Sequence, residues 1–169
     1  MTYTSAQANK LLKKLNDEHP ALLDRENRSK DFRAAMGEDV ESLRPAYDYA
    51  DTQNRLAELE RRIRRVKHAI NIFNATHVIP DFAMTIDEML VYIPQLTQRK
   101  NKLADMKARL PKERVEEQYG RQSNIIDYTY ANYDLAAVEA DYEKIADELS
   151  RAQLALDAVN QRDTFELAE

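Results

Sequence analysis

Apolar residues recur at helical spacing along most of the chain. The clearest run is Tyr49, Thr52, Leu56, Leu59, Ile63, Val66, Ile70 and Phe73, at intervals of 3, 4, 3, 4, 3, 4 and 3. Such a heptad seam puts every member on one face of an α-helix. Pro45 suits a first turn, where its missing N–H has no intrahelical partner to lose, so the spacing predicts a helix over 45–74. Upstream, Thr4 and Gln7 stand at capping-box spacing, and Ala8, Leu12, Leu15, His19 and Leu22 form one stripe behind them. Pro20 interrupts that stripe. The interval pattern continues through it, which predicts one kinked helix over 1–29. Over 30–44 the periodicity fades, Gly37 supplies a breaker, and Glu38, Asp39 and Glu41 add charge, as expected of a mobile connection.

A second capping box, Thr85 and Glu88, precedes Ile86, Met89, Ile93, Leu96, Leu103, Met106 and Leu110 on a common face, predicting a helix over 86–110 that Pro111 closes. Pro94 lies inside it and removes the hydrogen bond to the Leu90 carbonyl, so a kink is expected there. Asp134 is a good N-cap for the last helix, 135–160, whose seam is Val138, Tyr142, Ile145, Leu149, Ala152, Leu156 and Val159. Two short stretches read as extended. One is His77 to Phe82 around Pro80. The other is Ile125 to Tyr133, where Ile126, Tyr128 and Tyr130 alternate with Asp127 and Thr129. They could meet within one subunit, or the second could pair across a subunit boundary. The expected fold is all-α: a long-helix antiparallel bundle of about four helices with a small extended segment, in a single domain over 1–169.

Composition narrows the function classes. Of 169 residues, 43% are apolar, 33% charged and 8% aromatic, a helix-biased balance. A chain of this size can bury about 70% of its unfolded surface without staples. The absence of cysteine excludes disulfides, thiolate metal sites and thiol nucleophiles together. With 25 Lys and Arg against 30 Asp and Glu, the net charge of -5 argues against a dominant nucleic-acid binder. The first thirty residues show no apolar signal-peptide core, and no apolar run reaches the roughly 18 residues of a membrane helix. A cytoplasmic location is expected.

Catalytic and metal chemistry find little support. A carboxylate-bridged di-metal bundle needs Glu-x-x-His on two helices, whereas the residues three before His19, His68 and His77 are Asn16, Arg65 and Asn74. His19 falls on the first seam, as a half-buried structural histidine does. Two glycines cannot build a phosphate-binding loop, and no Ser/His/Asp grouping is evident. No catalytic, cofactor-binding or metal-ligating residue is therefore assigned, no cofactor is implied, and the protein is expected not to be an enzyme.

Two features remain. The run Arg61, Arg62, Ile63, Arg64, Arg65, Val66, Lys67, His68 invites a nucleic-acid reading. Ile63 and Val66 are seam positions, however, so the arginines flank the seam, where acids of a neighbouring helix could pair with them. Asp134, Glu139, Asp141, Glu143, Asp147 and Glu148 would supply those acids. Tyr119, Tyr128, Tyr130, Tyr133 and Tyr142 place five of the nine tyrosines within 24 residues. Tyrosine joins a large contact area to a polar tip, which suits an interface that stays soluble before assembly; the alternative is a strand packed on the bundle's own flank. Lys100 on the third seam could fix oligomer register or simply snorkel.

Ile70, Asn71 and Asn74, then a short loop and Thr85, Ile86, Glu88 and Leu90 with Leu96 and Leu103, resemble the central motif of the septicolysin-like family of small bacterial helical proteins. Leu156, Asp157, Gln161, Glu166 and Leu167 are similar to that family's closing segment. The chain departs from the pattern at Ile93-Pro94, where the family usually has Arg-Asp. The resemblance implies a mainly helical, oligomeric bacterial protein without an established activity. The expected function is thus that of a non-enzymatic, self-assembling structural or protein-interaction protein, partnered by itself or by another protein. Its interface candidates are Tyr128, Tyr130, Tyr133, Ile126, Arg61 and Arg65, and neither nucleic acid nor membrane is expected as partner. The alternatives are a membrane-active, cytolysin-like protein and a nucleic-acid-associated helical hairpin.

Overall fold

The computed structural model describes residues 1–115 and 126–167. Helix accounts for 68% of the described residues, in long antiparallel pairs with small two-stranded sheets. Two compact units are formed, Met1–His77 with Ala158–Glu169, and Val78–Asp157.

In the first unit, strand β1 (Thr2–Thr4) leads into α1 (Ser5–Ser29) through the anticipated capping box of Thr4 and Gln7. Helix α1 continues through Pro20 as one element. The connection over 30–44 is not featureless: it contains the one-turn helix α2 (Val40–Leu43), capped by Asp39. Helix α3 (Tyr49–Thr76) starts four residues after the proline expected to open it. The reason is local, since the Asp48 carboxylate accepts from the Asp51 N–H, a stronger N-terminal signal than Pro45. Helices α1 and α3 run antiparallel, because Glu26 meets Gln53 at one end, His19 meets Glu60 midway, and Ala8 shares a core with Ile70 at the other. That core comprises Ala8, Leu15, Leu59, Val66, Ile70 and Leu167, with Tyr3, Ile63 and Phe165 packed on it. Strand β6 (Thr164–Glu166) pairs antiparallel with β1, Tyr3 opposite Phe165. No periodicity announced this sheet. It joins residues 160 to 164 positions apart and is closed by the Leu167 N–H donating to the Met1 carbonyl at 2.9 Å.

In the second unit, β2 (Val78–Ile79) and β3 (Met84–Thr85) form a tight hairpin, so the first extended candidate pairs with its own continuation. Helix α4 (Ile86–Lys107) follows, with Pro94 inside it and both halves of the Thr85/Glu88 capping box made. It stops three residues short of the expected end, leaving Leu110 exposed. Strand β4 (Lys112–Arg114) pairs antiparallel with β5 (Tyr128–Tyr130), and α5 (Leu135–Arg162) comes next. Helices α4 and α5 are also antiparallel, since Tyr92 bonds Glu148 while Lys107 pairs with Glu139 and Glu143. Ile86, Met89 and Leu96 of α4 are buried, as are Val138, Ile145, Leu149, Ala152 and Leu156 of α5, which are the positions the seams had marked.

Candidate functional site

Ordinary strand chemistry builds the β4–β5 ribbon. Pro111 cannot continue a helix, and Tyr-Thr-Tyr favours a pleated backbone. The ladder runs Lys112 opposite Tyr130, Glu113 opposite Thr129 and Arg114 opposite Tyr128. It is extended at both ends, by the Ala131 N–H donating to the Pro111 carbonyl at 3.1 Å and the Val115 N–H donating to Asp127 at 2.9 Å. The strand of the second extended candidate is therefore three residues long, and its partner is the local segment 112–114 of the same chain. Tyr119 and Ile125, also part of that expectation, lie outside the described residues.

Every residue of the two strands is exposed. The Tyr128 and Tyr130 rings project on one face with centroids 6.5 Å apart. The Lys112 ammonium lies 3.9 Å from the first centroid and 5.4 Å from the second, a cation–π arrangement that leaves the outer ring faces open. Tyr128 is 43% exposed, Tyr130 61%, Ile126 55% and Val115 46%, so the ribbon presents a small apolar and aromatic surface. Tyr133 differs: it is half-buried, and its hydroxyl donates to the Met106 carbonyl at 2.9 Å, which anchors the ribbon to the end of α4. Below that anchor the Lys107 ammonium lies 3.0 Å from Glu139 and 3.6 Å from Glu143, and the hydrogen bond to Glu139 raises its pKa above the usual lysine value. The Tyr92 hydroxyl donates to Glu148, whose carboxylate pushes the phenol pKa upward.

Arg61 and Arg65 are not part of this ribbon. They lie on α3 in the first unit, where two members of the basic run meet acids of their own helix: Arg61 pairs with Glu58, and Arg64 approaches Glu60 at 4.0 Å. Arg65 lines a groove of about 530 Å³ with His68, Ile72 and Phe165. Of the six interface candidates, Ile126, Tyr128 and Tyr130 form one exposed surface, Tyr133 supports it, and the two arginines stand elsewhere.

Spacing did not reveal a second cluster, also in the first unit. His77 Nε2 lies 2.6 Å from Asp163 Oδ2, and Phe73 stacks on both His77 and Phe165 with centroids 4.6 and 4.7 Å away. Its members are 86 residues apart, and only the apolar Phe165 beyond the last seam hinted that the chain packs back there. The Asn74 Oδ1 close by in sequence is buried and has no hydrogen-bond partner among the described residues. Among the described residues, no group of three or more His, Asp or Glu is placed to hold a metal ion, and no helix is long and apolar enough to cross a membrane.

No protein-family profile and no curated protein matches the chain. The fold is similar to that of a functionally unknown conserved protein from Corynebacterium diphtheriae, with a TM-score of 0.58 and 16% identity over 98% of this chain and 100% of that one. At that identity the likeness is one of fold.

Proposed function

We propose that the protein is a non-enzymatic, self-assembling structural or protein-interaction protein of the cytoplasm, related to the septicolysin-like proteins, and that the β4–β5 ribbon is one of its contact surfaces. The observation that carries this reading is that every residue of a two-stranded ribbon bearing Tyr128 and Tyr130, with Ile126 beside it, is exposed. An isolated two-stranded ribbon is marginal in water, and a neighbour that covers its aromatic face or extends its edge would stabilise it. Tyrosine suits that task because the ring supplies area while the hydroxyl keeps the free surface wettable. Intrahelical pairing of Arg61 and Arg64 supports the ion-pair reading of the basic run over a nucleic-acid one. Light scattering at about 100 µM, a hundredfold above a ~1 µM Kd, tests the reading. A particle heavier than 19.6 kDa is expected, and a monomer of that mass ends the proposal.

A further inference from the structure

The β4–β5 ribbon has two faces, and its register separates their chemistry. Residues directly opposite each other in an antiparallel pair project to the same side, and successive residues along a strand alternate. Lys112 opposite Tyr130 and Arg114 opposite Tyr128 therefore share one face, which Ile126 continues. The Lys112 ammonium lies over both tyrosine rings on that side. Glu113 opposite Thr129 projects from the other face. Val115 and Asp127 lie on it too, since the Val115 N–H donating to the Asp127 carbonyl extends the ladder by that pair.

Among the described residues of the ladder, one face thus carries two cations, two tyrosines and no carboxylate, while the other carries two carboxylates and no cation. All of these residues are exposed, so neither face is covered by the chain's own described helices. A ribbon of two strands needs a face packed against something to be stable in water. Here each face offers what the other lacks: the tyrosine face supplies rings and positive charge, and the acidic face supplies Val115, the Thr129 methyl group and negative charge.

We infer that the ribbons of successive copies stack face to back, the tyrosine face of one on the acidic face of the next. Sheets packed in this way lie about 10 Å apart, a spacing that side chains from the two facing surfaces fill between them. Stacking like on like would set Lys112 and Arg114 against their own copies, or Glu113 and Asp127 against theirs, so the charges select the face-to-back arrangement. Such a contact is heterologous. Each copy binds the one ahead through one face and the one behind through the other, and association continues past the dimer, in an open chain or a closed ring. The inference rests on the self-assembly reading and deepens it, naming a second copy as what the ribbon binds and a head-to-tail order as how it binds.

Light scattering across a concentration series, up to about 100 µM, tests the order of assembly. The mass of the unaltered protein should rise past that of a dimer of 19.6 kDa chains. A mass that levels off at the dimer overturns the stacking while the self-assembly reading stands, and a monomer overturns both. Two variants test the faces: Lys112→Glu with Arg114→Glu, which makes both faces acidic, and Glu113→Lys with Asp127→Lys, which makes both cationic. Each alone should weaken self-association about tenfold or more in Kd, with helical circular dichroism unchanged. Mixed in equimolar amounts, acidic faces meet cationic ones in both directions, so large assemblies should return, more strongly at low salt than at high. Mutual rescue of that kind does not arise from misfolding. Variants that associate as an oligomeric unaltered protein does, or weakened variants that do not rescue each other, overturn the stacking and leave the self-assembly reading in place.

Discussion

The β1–β6 and β4–β5 ribbons each pair three residues antiparallel, and each carries two aromatic side chains: Tyr3 opposite Phe165 in the first, Tyr128 and Tyr130 along one strand in the second. Their surroundings differ. Tyr3 and Phe165 pack on the core of Ala8, Leu15, Val66, Ile70 and Leu167, and Phe165 also stacks on Phe73. Tyr128 and Tyr130 meet each other and one lysine, and remain exposed. Tethering accounts for the contrast. Strand β1 runs directly into the capping box of α1 and β6 leaves α5 after one residue, so both are laid on helices they extend. The second ribbon is held near its base, through Tyr133 and Lys107, and its strands rest on nothing described. Similar backbone pairing thus yields a structural staple in one place and a presented surface in the other.

Removing the floor beneath the staple should have the largest effect. Leu15 is 2% exposed, and Leu15→Ala is expected to cost about 3 kcal/mol, the transfer term plus a cavity that rigid helices fill poorly. Urea denaturation measures it. A loss below about 1 kcal/mol would mean that the ribbon and helices collapse into the space and that the core is far looser than its burial indicates.

Next in size, Phe165→Ala removes the half-buried ring between Phe73 and the core, at an expected cost of about 2 kcal/mol. By contrast, Tyr128→Ser with Tyr130→Ser should change monomer stability by about 1 kcal/mol or less, since both rings are exposed, while lowering the assembly state with helix content unchanged. Parallel melts and light scattering separate the two effects. Equal destabilisation by the two variants would erase the contrast between the ribbons.

Helices were legible because their information is local. The seams at Leu56 to Phe73 and at Val138 to Val159 predicted the buried face almost residue by residue, and both capping boxes appear where Thr4 and Thr85 placed them. What escaped was either long-range or too short for a period. The β1–β6 sheet rests on Thr-Tyr-Thr and Thr-Phe-Glu, three-residue alternations whose one shared signal is a central aromatic. The expected pairing of Arg61 with acids of the last helix overlooked nearer ones: Glu58 and Glu60 lie within one helical turn of Arg61 and Arg64, the separation at which side chains on one helix meet. The tyrosine segment was recognised, but its strand partner was not, because Lys112, Glu113 and Arg114 are all charged and carry no apolar alternation that would mark an edge.

The smallest expected effect concerns the tethers themselves. The staple's attachment is apolar, whereas the base of the exposed ribbon depends in part on Lys107 between Glu139 and Glu143, with its ammonium 5.1 Å from the Tyr142 ring. The hydrogen bond to Glu139 raises the lysine's pKa from its ordinary value of 10.5. A group whose folded pKa is raised contributes stability that is complete below the unfolded pKa and is lost as pH climbs through the folded one. The contribution of Lys107 should therefore be constant through neutral pH and decline only above 10.5. Tyrosine phenols titrate in the same alkaline range, at about 10, so the informative quantity is the difference between the unaltered protein and Lys107→Met. Thermal melts from about pH 8 upward should show a small gap in Tm that is constant through neutral pH and narrows once pH passes the ordinary lysine value of about 10.5. A gap that does not narrow as the lysine titrates would assign the tether to its methylene packing rather than to its charge, and the two ribbons would then be held by the same kind of force.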